Sequence, residues 1–262
     1  MRQFPPSRIV CLTEETVETL YLLGEQDRIV GVSGYAVRPP QVRREKPRVS
    51  AFTSADIPKI LALQPDLVLT FSDLQASIAA DLIRAGIAVH AFNHRDIAGI
   101  LAMIRTLGAL VGATEKAEAL VQHYELRLSH VAATVQGHPR PRVYFEEWDD
   151  PLISGIGWVS ELIEIAGGRD VFAELRAQHA ASGRVVAPEA VIERDPEIIL
   201  ASWCGKPVDQ TQIATRPGWD RISAVKRGQI HEIAGEDVLA PGPSLMHGLR
   251  RIHEVIQAFQ AA

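Results

Sequence analysis

The sequence lacks basic runs, lacks any apolar run of about 18 residues, and holds only two cysteines in 262 residues. Each shortage excludes something. Lys and Arg number 27 against 32 Asp and Glu, a formal net charge of −5, so neither nucleic acid nor an anionic membrane surface is an expected partner. Without a long apolar run there is no candidate transmembrane helix. Cys11 and Cys204 cannot build a disulfide framework and read as two free thiols. No Gly-x-Ser-x-Gly turn supplies a nucleophile, and the loop carboxylates read first as solvated charge. No catalytic residue is assigned, and no enzyme is expected. The nine histidines are scattered. His90 and His94 straddle a predicted strand end, His247 and His253 point different ways on a helix, and no His-Glu-x-x-His occurs. No metal site and no tightly bound cofactor is therefore expected, although a loose set of Cys11, Cys204 and an acid stays open. The N-terminus, Met1-Arg2-Gln3-Phe4-Pro5-Pro6, has no apolar h-region. As it stands the chain reads as cytoplasmic, or as periplasmic once a leader has been removed.

What is present is an ordinary globular composition, 47% hydrophobic and 23% charged, too apolar for a disordered chain. One long helix is predicted over Thr114 to Gln136. Thr114 serves as N-cap, and Ala117, Leu120, Val121, Tyr124, Leu128 and Val131 form a one-sided apolar stripe. Gly137, Pro139 and Pro141 stop it. At about 1.5 Å per residue it reaches roughly 34 Å.

Before that helix, nearly all-apolar strands alternate with helices: strands at 8–12, 28–33, 67–71 and 87–92, helices at 13–23, 56–63, 75–85 and 96–111. That pattern implies a parallel sheet covered on both faces. After the helix the pattern returns. Ile57-Pro58-Lys59-Ile60-Leu61 is matched by Pro188-Glu189-Ala190-Val191-Ile192, and Pro65-Asp66-Leu67-Val68-Leu69 by Pro196-Glu197-Ile198-Ile199-Leu200. Both offsets are 131 (188 − 57 and 196 − 65). A period this long indicates duplicated lobes rather than a solenoid. The expected fold is α/β: two Rossmann-like lobes with parallel sheets, residues 1–113 and 138–262, joined by a single backbone helix over 114–137.

Parallel sheets bind ligands at the carboxyl ends of their strands. In the first half those ends carry Tyr35 and Phe71, with Phe52 in a nearby loop. In the second half they carry Glu147, Trp148, Trp203 and Asp237, and Trp158 begins a helix. Aromatics collected at strand ends suit a large, flat, partly apolar ligand. Glu147 is the best hydrogen-bond acceptor among the carboxylates. Trp219, in the turn Arg216-Pro217-Gly218-Trp219, reads as structural. Gly155-Ile156-Gly157-Trp158-Val159-Ser160 has the outline of a dinucleotide fingerprint, but it does not follow its strand directly and reads as the loop leading into a helix.

Several stretches carry a family likeness: Arg8-Ile9-Val10-Cys11-Leu12 with Glu14-Glu15-Thr16, Ile29-Val30-Gly31-Val32-Ser33-Gly34-Tyr35 with Pro39-Pro40, and Ile60 through Val68. The second half adds Glu161-Leu162-Ile163-Glu164-Ile165-Ala166-Gly167-Gly168 and Arg216-Pro217-Gly218-Trp219. Together they resemble the helical-backbone class of substrate-binding proteins of ABC importers, and within it the cobalamin-binding proteins. The resemblance implies a monomer that captures a corrinoid such as cobalamin between its lobes, with little hinge motion and an ABC transporter permease as partner. It matches Tyr35 to a cobalamin-contacting tyrosine and places Phe52 and Phe71 where the family's cobalamin binder has tryptophans. Leu152 replaces an aromatic. Glu189 matches one of the family's two docking glutamates, while its repeat mate is Pro58, with Asp56 or Glu45 as substitutes. Ala166 and His253 stand where the family's second-lobe disulfide would put cysteines. These departures keep other readings open: a siderophore, haem or metal-chelate binder, or a cytoplasmic ligand sensor or enzyme using Cys11, Cys204 and Glu147.

Overall fold

A computed structural model describes residues 4–261. The chain divides into two compact units, residues 4–94 with 98–123, and residues 95–97 with 124–261.

The first unit runs β1 (Ile9–Cys11), α1 (Glu14–Leu22), β2 (Ile29–Ser33), α2 (Val42–Glu45), β3 (Arg48–Ser50), α3 (Ile57–Ala62), β4 (Leu67–Phe71), α4 (Ala76–Arg84) and β5 (Val89–Phe92). Its sheet has the order β3-β2-β1-β4-β5, every pairing parallel. Strands β1 and β4 are buried along their whole length, which accounts for a sequence that is apolar but for Thr70. One cluster under the sheet holds Val10, Leu12, Val49, Ile60, Val68 and Leu82. Helix α5 (Ile97–Val111) buries Ile100, Met103, Ile104, Leu107 and Val111, each side chain worth about 1.5–3 kcal/mol of burial. Gly108 has a steric reason: a Cβ there would stand 2.3 Å from Ala117 Cβ, so only glycine lets the chain fold back this tightly into α6 (Thr114–Thr134).

The second unit runs β6 (Arg142–Asp149), β7 (Leu152–Ser154), α7 (Gly157–Ile165), β8 (Arg169–Asp170), α8 (Pro188–Arg194), β9 (Ile198–Ala201), α9 (Gln210–Ala214), α10 (Ser223–Lys226), β10 (Ile230–Glu232), α11 (Gly235–Val238) and α12 (Leu245–Gln260). The sheet order is β10-β9-β6-β7, with β8 also against β6. All pairings are parallel except β6 with β7. Trp219 is fully buried, edge-on to Tyr144 at 6.2 Å and under the Arg216 guanidinium at 4.5 Å, in agreement with the structural role expected of it.

The duplication has a counterpart in each unit. Ile9 of β1 pairs with Leu67 of β4, and Val143 of β6 with Ile198 of β9, and 198 − 67 is again 131. Several sequence expectations need correction. The long helix ends at Thr134 rather than Gln136, the chain turning through Gly137 at φ +79. Strands β3 and β7 lie in stretches that read as loop, because three residues are too few to show a period. Asp237 does not stand at a strand end. It lies on α11, beyond β10. Among the described residues no helix is long and apolar enough to cross a membrane.

Candidate functional site

On the first unit's carboxyl rim, Tyr35 follows β2 in a tight turn, its N–H donating to Ser33 Oγ at 3.2 Å, and the residue is 53% exposed. Phe71, the last residue of β4, is buried edge-on to His94 at 5.2 Å. Ser72 follows at φ 62, ψ 174, a region that costs a residue with a Cβ about 1–3 kcal/mol. The kink is held by its N–H to Phe92 O at 2.8 Å and by its Oγ, which accepts from Leu74 N–H at 3.2 Å. Phe52 is half-buried in the loop after β3.

A side chain that sequence reading missed ties these parts together. Gln75 is fully buried. Its Oε1 accepts from Phe71 N–H at 3.0 Å, and its Nε2 donates to Leu12 O at 3.2 Å and Phe52 O at 2.8 Å. One neutral amide therefore fixes the ends of β1, of β4 and of the Phe52 loop. In the first turn of α1, Glu15 is buried and receives the Thr13 hydroxyl. Burial pushes its carboxyl up to about 8, against the lowering effect of that hydrogen bond. Burial likewise pushes the Cys11 thiol up to about 12, which leaves it protonated and unreactive at neutral pH.

The second unit's rim is built from charge pairs. Glu146, 0% exposed, takes a bidentate grip from Arg216 at 2.5 and 2.8 Å and the Trp203 indole N–H at 3.0 Å. Fork-to-carboxylate pairing of this kind fixes geometry as well as charge. Glu147 is gripped in the same way by Arg184 at 2.6 and 3.0 Å, and the 1% exposed Arg184 also donates to Ser154 O. Both Glu147 oxygens are thus engaged within the fold. Trp203 is 4% exposed. Trp148 is half-buried, with its N–H on Asp150 O at 2.8 Å. Trp158, 2% exposed, donates to Val238 O at 2.8 Å, so it lies in the interior and spends its polar atom there. Asp237 is buried on α11.

Gly157 is explained by packing rather than by a phosphate. A Cβ there would meet Arg95 O at 2.4 Å and Arg176 O at 3.0 Å, and Glu161 on the same helix accepts Ile97 N–H at 2.7 Å. Glu189 is exposed in the first turn of α8, and Pro58 is exposed at the start of α3, where Asp56 is the N-cap. Ala166 and His253 adjoin: the imidazole Nδ1 lies 3.2 Å from Ala166 O. Cys204 is exposed. Among the described residues, no group of three or more His, Cys, Asp or Glu is placed to hold a metal ion.

Three residues missed by sequence reading act across 23 to 63 positions of chain: Gln75, Arg184, and Lys206, whose Nζ lies 2.7 Å from Asp149 Oδ1. None has a local signature. Arg216 carried one, the Arg-Pro-Gly-Trp turn, though nothing in that turn names Glu146 as its partner.

The model of the periplasmic binding protein family matches residues 9–236. An uncharacterised ABC transporter substrate-binding lipoprotein of Bacillus subtilis is 27% identical over 266 residues, covering 96% of this chain and 80% of its own. A vitamin B12-binding protein of Vibrio cholerae is 24% identical over 258 residues, covering 96% and 89%. Among solved structures, the periplasmic haem-binding protein RhuT from Roseiflexus superposes with a TM-score of 0.82 at 21% identity, over 97% of this chain and 99% of that one.

Proposed function

The chain belongs to the periplasmic binding protein family and is a substrate-binding protein of the ABC-importer type; on that premise we propose that it captures a corrinoid such as cobalamin. The observation that carries the reading is the exposed Tyr35, held by a short turn past the end of β2, on a rim where Gln75 also fixes the backbone of Phe52 and Phe71. A corrin presents a broad, partly apolar face, and aromatic rings cover such a face at little entropic cost. Trp148 and Trp203 supply the second rim, and Trp158 backs it from the interior. Glu147 and Asp237 are the polar members of the set. The relative in Vibrio cholerae named for vitamin B12 supports the same ligand. Glu189, exposed on α8, is the residue offered to a permease, with Asp56 taking the place that Pro58 cannot fill.

Haem is the second reading. It is favoured by His94, an imidazole of the type that ligates iron, packed against Phe71, and by the likeness to a haem-binding protein. One experiment separates the two. Cyanocobalamin and hemin are each titrated into the protein and the melting temperature is followed, since a ligand that binds only the folded state at 100 times its Kd adds about 2.7 kcal/mol of stability. The corrinoid reading expects a rise with cyanocobalamin that Tyr35→Ala weakens by about tenfold in affinity, or about 1.4 kcal/mol. A rise with hemin alone overturns it.

A further inference from the structure

After β9 the chain doubles back. Lys206 N–H reaches Trp203 O at 3.5 Å, and Gly205 takes φ +77. This turn returns the lysine side chain over the indole that precedes it. Lys206 Nζ lies 4.8 Å from the Trp203 ring centroid, 4.4 Å from that of Trp148, and 2.7 Å from Asp149 Oδ1. Both ring distances fall within the roughly 6 Å reach of a cation–π contact. Two aromatic faces and a carboxylate around one ammonium are the parts of a box for an organic cation.

We infer that Trp148, Trp203 and Asp149 form a subsite for an alkylammonium group, and that the chain fills it with its own Lys206. Each wall has an anchor of its own besides Lys206. The Trp203 indole is fixed by Glu146 at 3.0 Å and the Trp148 indole by Asp150 O at 2.8 Å. Asp149 Oδ2 accepts from Gln212 at 3.1 Å, and the Asp149 side chain is almost wholly buried. Burial works to push the Asp149 carboxyl up, but the hydrogen bonds from Lys206, its own backbone and Gln212 prevail and hold it below the usual carboxylate range. It is charged with the ammonium in place, and the bonds from its backbone and Gln212 remain when Lys206 swings out. Lys206 is the loosest member: its side chain is 40% exposed, and it follows a glycine whose Cβ position meets nothing within 4 Å. An added amine must displace a tethered competitor, which lowers its apparent affinity by the lysine's effective concentration. Lys206 thus reserves the box for ligands that bring a primary or methylated amine together with other contacts on the rim.

The test removes the competitor. Lys206→Ala and the wild type are titrated with tetramethylammonium chloride and with butylammonium chloride, sodium chloride serving as the ionic-strength control. Tryptophan fluorescence and melting temperature are the readouts. The expected result is a saturable response in Lys206→Ala at a concentration about tenfold or more below any in the wild type, an energy difference within the range of a desolvated cation–π contact. Adding Asp149→Asn to that variant abolishes the response. Lys206→Gln, which keeps the stem and loses the charge, provides a second folded background and responds between the two. Equal responses from Lys206→Ala and wild type, or indifference to Asp149→Asn, overturn the subsite. A cyanocobalamin titration of the same samples reports on the corrinoid reading separately, because no corrinoid is needed for the amine response.

Discussion

Gln64 and Asp195 stand 131 positions apart, both at positive φ, 48° and 43°. Each closes a short helix just before a proline and an acid. Asp66 then accepts the N–H of Arg8 at 3.0 Å, and Glu197 accepts that of Arg142 at 3.0 Å. The two arginines reach back alike, Arg8 to Leu63 O and Gln64 O, Arg142 to Asp195 O. At this end of the sheets the two halves of the chain use one joint twice. At the carboxyl end they part. The first half closes its rim with the neutral amide of Gln75, the second with the ion pairs Glu146–Arg216 and Glu147–Arg184. The joint has the same chemistry in both halves, each time tying the start of one strand to the turn before its parallel neighbour. The rims have diverged, and the rims carry the residues proposed to meet the ligand.

The largest expected effect tests that difference. Arg216→Ala strands the buried Glu146 carboxylate with a single indole N–H, and losing one partner of a buried pair costs roughly 3–5 kcal/mol. Gln75→Ala leaves Phe71 N–H and two carbonyls without their partner, at about 1–3 kcal/mol per stranded group where water cannot reach it, and water reaches the Phe52 loop. Urea unfolding midpoints should fall further for Arg216→Ala. A larger fall for Gln75→Ala would show that the neutral hub, not the charged one, carries the rim.

How much of this was legible follows from how local each signal is. The repeated joint was visible because Pro65-Asp66 and Pro196-Glu197 are consecutive residues with fixed backbone consequences. Strands β4 and β9 were visible because burial on both faces leaves them apolar but for Thr70. The β6–β7 hairpin was hidden, since β7 is three residues long and β6 keeps polar residues in its second half. The rim partners were hidden for a different reason. Arg216 and Glu146 lie 70 residues apart, and no pattern within either neighbourhood names the other. Phe71 and Trp203 do stand at or just past strand ends, whereas Trp148, expected beyond its strand, lies inside β6 one residue from its end, and sequence could not show that Trp158 and Trp203 are nearly covered. Burial is a property of packing, and it was not encoded near either indole.

A second comparison turns on pH. Counting six residues on from the matched strand positions Ile9 and Val143 leads to Glu15 and Asp149, whose carboxyls shift in opposite directions. Glu15, raised by burial from its usual 4.5 to about 8, keeps its proton in the folded chain where the unfolded chain has released it. Its contribution is complete below the usual value and is lost as pH rises towards the folded value, with a slope of up to about 1.4 kcal/mol per pH unit. Asp149 contributes in the other sense, fully above its usual value and less as pH falls. Melting temperatures measured from pH 5 to 8 should therefore decline in the wild type and flatten in Glu15→Gln. An unchanged slope in that variant would place the titrating group elsewhere.

The smallest effect has the sharpest sign. Both left-handed residues of the joint would be eased by glycine, but their side chains differ in employment. Gln64 is exposed, so Gln64→Gly recovers about 1 kcal/mol of left-handed strain less about 0.5 kcal/mol of added chain entropy, a net gain of about 0.5 kcal/mol. Asp195 accepts from Ser223 N–H at 2.7 Å and Ser223 Oγ at 2.9 Å, and it pairs with Arg142 at 3.1 Å. Asp195→Gly forfeits these contacts, and the net expectation is a loss of about 1–2 kcal/mol. Unfolding midpoints should thus move in opposite directions for two substitutions at the same place in the repeat. If both move the same way, the side-chain bonds of Asp195 are not what separates the second joint from the first, and backbone strain alone governs each.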